Sequence, residues 1–402
     1  MREAFRKLLL FVSVATTVDC GSASHRFSPY EAEVSWSPSH SEARRVAEDT
    51  VTAPSRFSNS FLAVTEKLQE LPVRILHLTD SHISLDDPVP GQTSRMFNAF
   101  KHTTDYESHR STSPKEEFTS LLRHAREKQV DLIAIGGDLV NYPSPMTVNW
   151  VLNQLHENAP GIPFIYTAGN HDWHQEGVLA DKRYDSSRLT QLNSTLRPLF
   201  EHSAIASDKT ANSQLGRLYG KTSVRGVDVF FADNSNHQIN QEQLDYFKSH
   251  LDQDSSSPAV LLLHMPLKLD DTPPLAPKYL CGHPSWGAST DELFNIESRP
   301  QWPAEGNAAS TIEFIDLVRQ HSAPSGRLIA LLTGHVHKDF SAKLQDGTLP
   351  NAANLTALAC GSSREGCSVS HARNGFSKAS GAVQYTSLDS AEGGYRILTV
   401  RS

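Results

Sequence analysis

The 402-residue chain is poor in cysteine and has no long run of basic residues. It contains only 4 cysteines but 19 histidines, which favours sites built from imidazole and carboxylate groups over thiolate sites. The formal net charge of −8 argues against a nucleic-acid binder, because phosphate contacts require clustered lysine and arginine. We therefore expect no stable nucleic-acid partner.

The chain also lacks an apolar run of the roughly 20 residues that a transmembrane helix requires. Its first apolar run, residues 8–18, follows three basic residues and precedes four small ones, namely Arg2, Arg6, Lys7 and the "GSAS" of 21–24. This order is typical of a secretory signal. We predict a signal peptide over residues 1–23 and a secreted or lumenal protein without a transmembrane segment. The alternative is an amphipathic N-terminal segment that is retained.

Secretion has two consequences for the covalent chemistry of the chain. In an oxidising compartment Cys360 and Cys367 would be able to close a small disulfide loop, with Cys281 left over. The glycosylation motifs at Asn193 and Asn354 are compatible with a secreted glycoprotein, although a chain of this length carries such motifs by chance as well.

Two regions of different composition follow the predicted signal. Residues 24–70 are rich in Ser, Glu, Ala and Pro and predict a flexible spacer or pro-segment. Residues 71–402 predict the folded domain, because apolar runs of strand length recur there. The segments 381–389 and 393–400 predict consecutive strands that form either a second sheet or an antiparallel edge. The six earlier predicted strands are 73–79, 130–136, 162–167, 227–233, 259–264 and 327–333.

Helical patterns lie between these strands. Ser113, Pro114 and Glu116 predict a capped helix start, since Ser-x-x-Glu forms a capping box and Pro suits the first helical position. Ser144 predicts a second helix start, and Ser310 predicts a third with another Ser-x-x-Glu box. Strands that alternate with helices indicate a layered α/β domain.

Polar residues follow five of the predicted strands. Each motif alone is ordinary turn chemistry. The carboxyl ends of strands in an α/β sheet border one crevice, however, so five such motifs are expected to converge on one site. The residues are Asp80, His82, Asp138, Asn170, His171, Asp172, His264, His335 and His337.

The ordered set Asp-x-His, Gly-Asp, Gly-Asn-His-Asp, His and Gly-His-x-His resembles the motifs of the calcineurin-like metallophosphoesterase family. The resemblance extends over residues 73–337 by motif. It implies an α/β fold, a four-layer α/β/β/α sandwich of two mixed β-sheets flanked by helices, with the metal site at the C-terminal strand ends. It also implies two divalent metal ions, for which N and O ligands suit Fe, Mn or Zn.

The resemblance implies a role for each residue. One metal ion would be held by Asp80, His82, Asp138 and His337. The second would share Asp138 and add Asn170, His264 and His335. The reaction implied is hydrolysis of a phosphomonoester or phosphodiester, with a metal-bridging hydroxide as nucleophile, His171 as the acid and Asp172 as the residue that orients it.

Two alternatives to a small-molecule esterase are a non-catalytic binding module with the same fold and a secreted nuclease. The retained ligands and His171 argue against the first, and the negative net charge argues against the second. The substrate class stays open among small-molecule, lipid and nucleotide phosphoesters. The candidate specificity loops are 84–112, 174–190 and 266–309, and the last is interpreted either as a lid or as a packed excursion.

One departure separates this chain from the purple acid phosphatases, which it otherwise resembles. Those enzymes carry a metal-bound Tyr three residues after the Gly-Asp carboxylate and no His in the first motif. Here Asn141 stands at that offset, Tyr142 is one residue too far and His82 is present. We therefore expect no tyrosinate colour. The motifs are equally similar to those of class III cyclic-nucleotide phosphodiesterases and of secreted phosphomonoesterases.

Overall fold

A computed structural model describes fifteen parts of the chain, all within one unit, Leu62–Ser402. The predicted signal peptide and spacer, most of the three candidate specificity loops, His174, Asn193 and Cys367 lie outside the described residues. Within the described parts no helix is long and apolar enough to cross a bilayer. The described residues are 72–85, 112–141, 143–173, 195–204, 218–252, 257–269, 272, 274–275, 279–283, 307–323, 326–343, 354–360, 368–372, 382–387 and 389–401.

Two six-stranded mixed sheets lie at the centre of the described structure. The first sheet has the order β10-β9-β12-β1-β2-β3, and the second has the order β4-β5-β6-β7-β11-β8. The strands are β1 (Val73–Leu78), β2 (Leu132–Ile135), β3 (Phe164–Tyr166), β4 (Tyr219–Val224), β5 (Val227–Ala232), β6 (Ala259–Leu262), β7 (Leu328–Thr333), β8 (Phe340–Lys343), β9 (Asn354–Cys360), β10 (Ser368–Ala372), β11 (Val383–Thr386) and β12 (Tyr395–Arg401).

Five α-helices flank the sheets in the described residues, and two of the three predicted helix caps are confirmed. Ser113 accepts a hydrogen bond from the Glu116 backbone and Glu116 accepts one from Ser113, which confirms the capping box of the first helix. Ser144 caps the second helix by accepting from the Thr147 backbone. The helices are α1 (Pro114–Glu127), α2 (Pro145–Asn158), α3 (Arg197–His202), α4 (Gln241–Leu251) and α5 (Ala309–His321).

The capping box predicted at Ser310 is wrong. The N-cap residue of helix α5 is Ala308, two residues before Ser310, and Ser310 lies inside the first turn, where its buried hydroxyl donates to the Ile239 carbonyl. Gln238 takes over the cap from a distant part of the chain, because its side-chain oxygen accepts from the backbone N–H of Ala308 and the hydroxyl of Thr311. A local sequence motif cannot reveal such a tertiary cap.

The apolar core has two levels because alternate strand residues face opposite sides of each sheet. One set fills the space between the sheets: Val73, Ile75, Leu132, Ala134, Ile165, Val229, Phe231, Val260, Leu262, Ala330 and Leu332. The other set packs the outer faces against the helices: Leu76, Leu78, Ile133, Phe118, Leu121, Val148, Phe230, Leu261, Leu331, Phe247 and Phe314. The predicted four-layer α/β/β/α sandwich of two mixed sheets is confirmed.

The topology brings the strand ends together. Strands β1, β2 and β3 are parallel neighbours, as are β5, β6, β7 and β11. The two C-terminal strands, which we expected in a second sheet or at an edge, separate into different sheets. Strand β11 joins the second sheet, while β12 enters the interior of the first, antiparallel to both β1 and β9. The connection between them, residues 387–394, therefore passes from one sheet to the other.

Candidate metal centre

Side chains from the carboxyl ends of five parallel strands form three groups that could bind a metal ion. Within each group, the potential ligand atoms lie within 4.8 Å of one another. Strand β1 leads to Asp80 and His82, β2 to Asp138, β3 to His171, β6 to His264 and β7 to His335 and His337. The three groups are Asp80, His82 and His337; His82, Asp138 and His171; and Asp138, His264 and His335. Because consecutive groups share a residue, they form one continuous centre.

The first half of the centre, which we define as Asp80, His82 and His337, contains two facing imidazoles and a carboxylate. The Nε2 atoms of His82 and His337 are 3.1 Å apart, and the same nitrogen of His337 is 3.3 Å from Oδ1 of Asp80. Two ring nitrogens and a carboxylate oxygen directed at one point form a donor set that suits a divalent cation.

The second half, defined as Asn170, His264 and His335, is built around Asp138. Nε2 of His264 lies 3.2 Å from Oδ2 of Asp138 and 3.2 Å from Oδ1 of Asn170. The His335 ring is 5.1 Å from the His264 ring, centroid to centroid. Asp138 thus contributes to both halves, because it also belongs to the group that contains His82. The residues present fit two cations that share one carboxylate.

The backbone of the centre is held in an unusual conformation. Five of the eight non-glycine residues with positive φ among the described residues are predicted ligands, and a sixth, His237, has its ring 6.0 Å from that of His335. Each such residue costs of order 1 kcal/mol or more, and strain of this kind concentrates at functional sites. The five ligands with positive φ are Asp80, His82, Asp138, His335 and His337.

Two glycines allow the strand ends to approach one another. A Cβ on Gly169 would clash with the Asp138 carboxylate and backbone, and one on Gly334 would clash with Thr79 and Asp80. Gly169 has no positive φ, so its backbone conformation does not itself require glycine. Glycine is needed at this position because any larger side chain would overlap Asp138.

Further contacts orient the imidazoles from behind. Nδ1 of His82 is 3.3 Å from the side-chain oxygen of Asn141, and Nδ1 of His337 is 3.3 Å from Oδ2 of Asp389. Nδ1 of His264 is 2.8 Å from the Gly136 carbonyl oxygen. Outer contacts of this kind set the tautomer of a ligating histidine.

Sequence reasoning singled out Asn141 only as a departure from another family, and it missed Asp389 and His237. Their signal was present, because His237 follows strand β5 and Asp389 follows strand β11 in the chain. Both residues would have been found by examining the polar residues after every parallel strand, and not only after the strands that precede a recognised motif.

His171 and Asp172, the predicted acid and its orienting residue, lie in the turn after β3. The His171 backbone donates to Oδ1 of Asp138, and its ring Nδ1 is 3.3 Å from the Asn141 carbonyl oxygen. Asp172 is fully buried and accepts from the backbone N–H groups of Gly169 and Val140. These bonds shape the turn that carries His171. Burial and the neighbouring Asp138 raise the pKa of Asp172 to about 7.

In the metal-free protein, protons on two histidines balance the buried carboxylates. Burial opposes a charged His337, but Asp80 and Asp389 outweigh it and raise its pKa to about 11. Burial likewise opposes a charged His264, but Asp138 raises its pKa to about 9. Burial would raise the pKa of Asp80 and Asp138, yet the adjacent histidines hold both below their usual range. Bound cations would take over the role of these protons.

Access to the centre is graded. Asp80, His82, Asp138 and His264 are buried to within 1% exposure, whereas Asn170, His171, His335 and His337 are half-buried. The four half-buried residues therefore form the rim that a ligand would meet.

Other buried residues belong to the packing of the domain. His77 is fully buried, and Trp173 is a core residue whose indole donates to Asp233. Cys281 is a buried free cysteine paired through its backbone with residues 266–268. The described ends of the 266–309 segment, which contain Leu267 and Leu280, are packed in the core, while residues 284–306 lie outside the described parts.

Comparison with known proteins agrees with this geometry. A family model described as calcineurin-like phosphoesterase matches residues 73–339. A probable cyclic nucleotide phosphodiesterase from Psychrobacter arcticus is 30% identical over 102 residues, which is 25% of this chain and only 31% of that protein.

Two solved structures are similar to this chain at low sequence identity. A dimetal phosphatase from Danio rerio has a TM-score of 0.39 and 9% identity, covering 82% of this chain and 96% of its own. A purple acid phosphatase from yellow lupin has a TM-score of 0.41 and 12% identity, covering 81% of this chain and 45% of its own.

The family match extends over more than half of the chain and includes every predicted ligand together with His171 and Asp172. The strand ends that carry these residues meet at one centre, where three overlapping groups of side chains could hold metal ions. The chain belongs to the calcineurin-like phosphoesterase family, a family of phosphoric ester hydrolases.

Proposed function

We propose that this protein is a metal-dependent hydrolase of phosphoesters. The observation that carries the proposal is the overlap of three donor groups, two of which share Asp138, beside the half-buried His171. Asp80, His82, Asp138 and His337 would hold one cation. Asp138, Asn170, His264 and His335 would hold the other.

The charge of the centre suits a phosphate ligand. Only two of the seven proposed ligands are carboxylates, so the positive charge of two divalent cations would exceed the negative charge around them. When bound, the cations would supply Lewis acidity that makes a water molecule more acidic and neutralises charge on phosphoryl oxygens. The half-buried rim residues leave the phosphate a way in.

His171 is the proposed proton donor to the leaving group. Its backbone N–H donates to Asp138 and its Nδ1 lies 3.3 Å from the Asn141 carbonyl oxygen, so two contacts fix the position of the ring beside the donor atoms. Its ring stands edge-on to His82 at a centroid distance of 4.7 Å. A histidine held at the border of the ligand set can protonate a leaving alkoxide without moving far. Asp172 supports it by fixing the Gly169 and Val140 backbone.

Distance alone does not separate His171 from the ligands, because its ring nitrogen belongs to one of the three donor groups. The two roles differ in their consequences. A ligand stabilises a cation, whereas a proton donor changes the rate and its dependence on the leaving group. The assignment is therefore tested by measuring metal content and rate on the same variant.

The substrate is either a phosphomonoester or a phosphodiester, and an activity assay distinguishes the two. The relative from Psychrobacter arcticus, a probable cyclic nucleotide phosphodiesterase, favours a diester, whereas the centre itself admits a monoester equally well. The net charge of −8 weighs against a nuclease.

The test is an activity panel on protein reconstituted with Mn, Fe or Zn. It compares p-nitrophenyl phosphate, bis-p-nitrophenyl phosphate and supercoiled plasmid, for wild type and Asp138→Asn. Asp252→Asn is the control, because Asp252 pairs with His321 at the C-terminal ends of helices α4 and α5, outside the proposed ligand set. We expect hydrolysis of one ester class that Asp138→Asn abolishes and Asp252→Asn retains. Metal-loaded protein that hydrolyses no phosphoester would contradict the proposal and favour a binding module.

We further propose that residues 1–23 are a secretory signal and that the enzyme acts outside the cytoplasm. The order of basic, apolar and small residues supports this proposal. Expression in a secreting host, followed by N-terminal sequencing of the product, tests it. Product that stays in the cells with its first residues intact would contradict it.

A further inference from the structure

We propose that Asp389 is a positioning residue that fixes the His337 ring, so that Nε2 of His337 faces the first half of the metal centre. This inference rests on the proposed function for the identity of the bound ion. It concerns a residue outside every motif used above, located after the family match ends at residue 339.

The geometry of the His337 ring carries the inference. Its two nitrogens face opposite groups: Nε2 lies 3.3 Å from Asp80 Oδ1 and 3.1 Å from His82 Nε2, and Nδ1 lies 3.3 Å from Asp389 Oδ2. If Nδ1–H donates to Asp389, the lone pair of Nε2 is left for a cation. A carboxylate behind a ligating histidine also makes the imidazole a stronger donor.

The Asp389 side chain does not cap the helix that it precedes. It precedes the short 3₁₀ helix Ser390–Glu392 as the N-cap residue, yet its side chain makes no capping hydrogen bond. The side chain is buried, with 3% exposed. A buried carboxylate is costly without polar partners, and the His337 imidazole supplies one.

Hydrogen bonds from residues on both sides of Asp389 fix its position relative to the centre. The Ser390 backbone donates to the Thr79 carbonyl, and the Ser390 hydroxyl accepts from the Thr79 backbone. The Ala391 backbone donates to the carbonyl of Asp80, a proposed ligand. On the other side, Ser387 donates to the carbonyl of Thr333, at the end of β7. Asp389 is thus attached to both strands whose ends carry the first half of the centre.

The test compares Asp389→Ala and Asp389→Asn with wild type, and Asp252→Asn is the matched control. Asp252 also pairs with a histidine, His321 at 3.0 Å, but at the helix ends away from the centre. Mn²⁺ affinity is measured by titration of the metal-free full chain, and the melting temperature of each metal-free protein is recorded alongside.

We expect Asp389→Ala to weaken one class of Mn²⁺ site by about 10- to 100-fold. Asp389→Asn should lie between Ala and wild type, because its amide oxygen still accepts from Nδ1 but carries no charge. Excess Mn²⁺ should restore kcat with KM for the ester unchanged, and the control should match wild type. The isosteric Asn variant keeps the test decisive if the Ala variant fails to fold.

Mn²⁺ affinity in both variants that is indistinguishable from the control would overturn the inference. So would a lower melting temperature of the metal-free protein without any change in Mn²⁺ affinity, since that is the signature of a structural role. Wild-type protein that binds no cation overturns this inference and the proposed function together. Protein that binds two cations, loses affinity in the variants and hydrolyses no ester supports the positioning role while contradicting the proposed function.

Discussion

The two halves of the metal centre are supported in different ways. In the first half, side chains lie behind the histidines, with Asn141 at His82 and Asp389 at His337. In the second half, a backbone group lies behind His264 instead, because its Nδ1 is hydrogen-bonded to the Gly136 carbonyl. The first half also has a carboxylate of its own, Asp80, whereas the second has the neutral amide of Asn170.

The negative charge of the centre is concentrated in its first half. Asp80 and Asp389 add two carboxylates to the first half, beyond the Asp138 that both halves share. A cation in the first half would therefore experience a stronger attractive field than one in the second. The account predicts two unequal affinities and assigns the tighter one to the first half.

The largest expected effect comes from removing what the halves share. Asp138→Asn deprives both proposed cations of a ligand and weakens the acceptor for the His171 backbone. We expect kcat/KM for the preferred ester to fall by about 10³-fold or more. Steady-state kinetics beside Asp252→Asn measures it, and a loss of less than tenfold would remove Asp138 from its central position.

His171→Ala separates proton donation from cation binding. We expect the rate to fall by about 10²- to 10³-fold with an alkyl ester, whose leaving group needs a proton. The fall should be smaller with p-nitrophenyl phosphate, because p-nitrophenolate leaves without one. Metal analysis should still find two cations. Loss of a cation in this variant would reassign His171 as a ligand.

The inequality of the halves is tested by one variant in each. Asp80→Asn removes a charged ligand from the first half, and Asn170→Ala removes a neutral one from the second. We expect the first substitution to weaken the tighter Mn²⁺ class and the second to weaken the looser class. In wild type the classes should differ by at least about tenfold, or about 1.4 kcal/mol. Equal affinities of the two classes in a calorimetric titration would contradict a tighter site in the first half.

The pH dependence of metal loading sharpens the same comparison. In the metal-free protein the raised pKa values of His264, about 9, and His337, about 11, mean that each cation must displace a proton. Affinity should therefore rise by about tenfold per pH unit for each displaced proton. Above pH 9 the His264 class should level off while the His337 class continues to rise. Titrations at pH 7, 8 and 9.5 check this, and a flat profile for both classes would contradict it.

The strand ends were predictable from sequence because their chemistry is local. Buried parallel strands are continuous apolar runs, and Asp80, Asp138 and His264 follow directly where such runs end. The motif order then predicted the family and the four layers. The capping box at Ser113 was equally local, and it is confirmed.

The contacts that the sequence did not reveal depend on distant parts of the chain. Gln238 caps helix α5 from about 70 residues away, so the pattern at Ser310 misled us. Strand β12 enters the interior of the first sheet, which nothing in residues 393–400 indicates. Asp389 reaches His337 only because the β11–β12 connection passes between the sheets. Such tertiary pairings follow from the whole fold and from no single segment.

Electron paramagnetic resonance of the protein loaded with two equivalents of Mn²⁺ tests directly whether the two halves share Asp138. We expect a spin-coupled pair in wild type and the signal of isolated ions in Asp138→Asn. Two uncoupled ions in wild type, or a single bound ion, would contradict a centre built around a shared carboxylate.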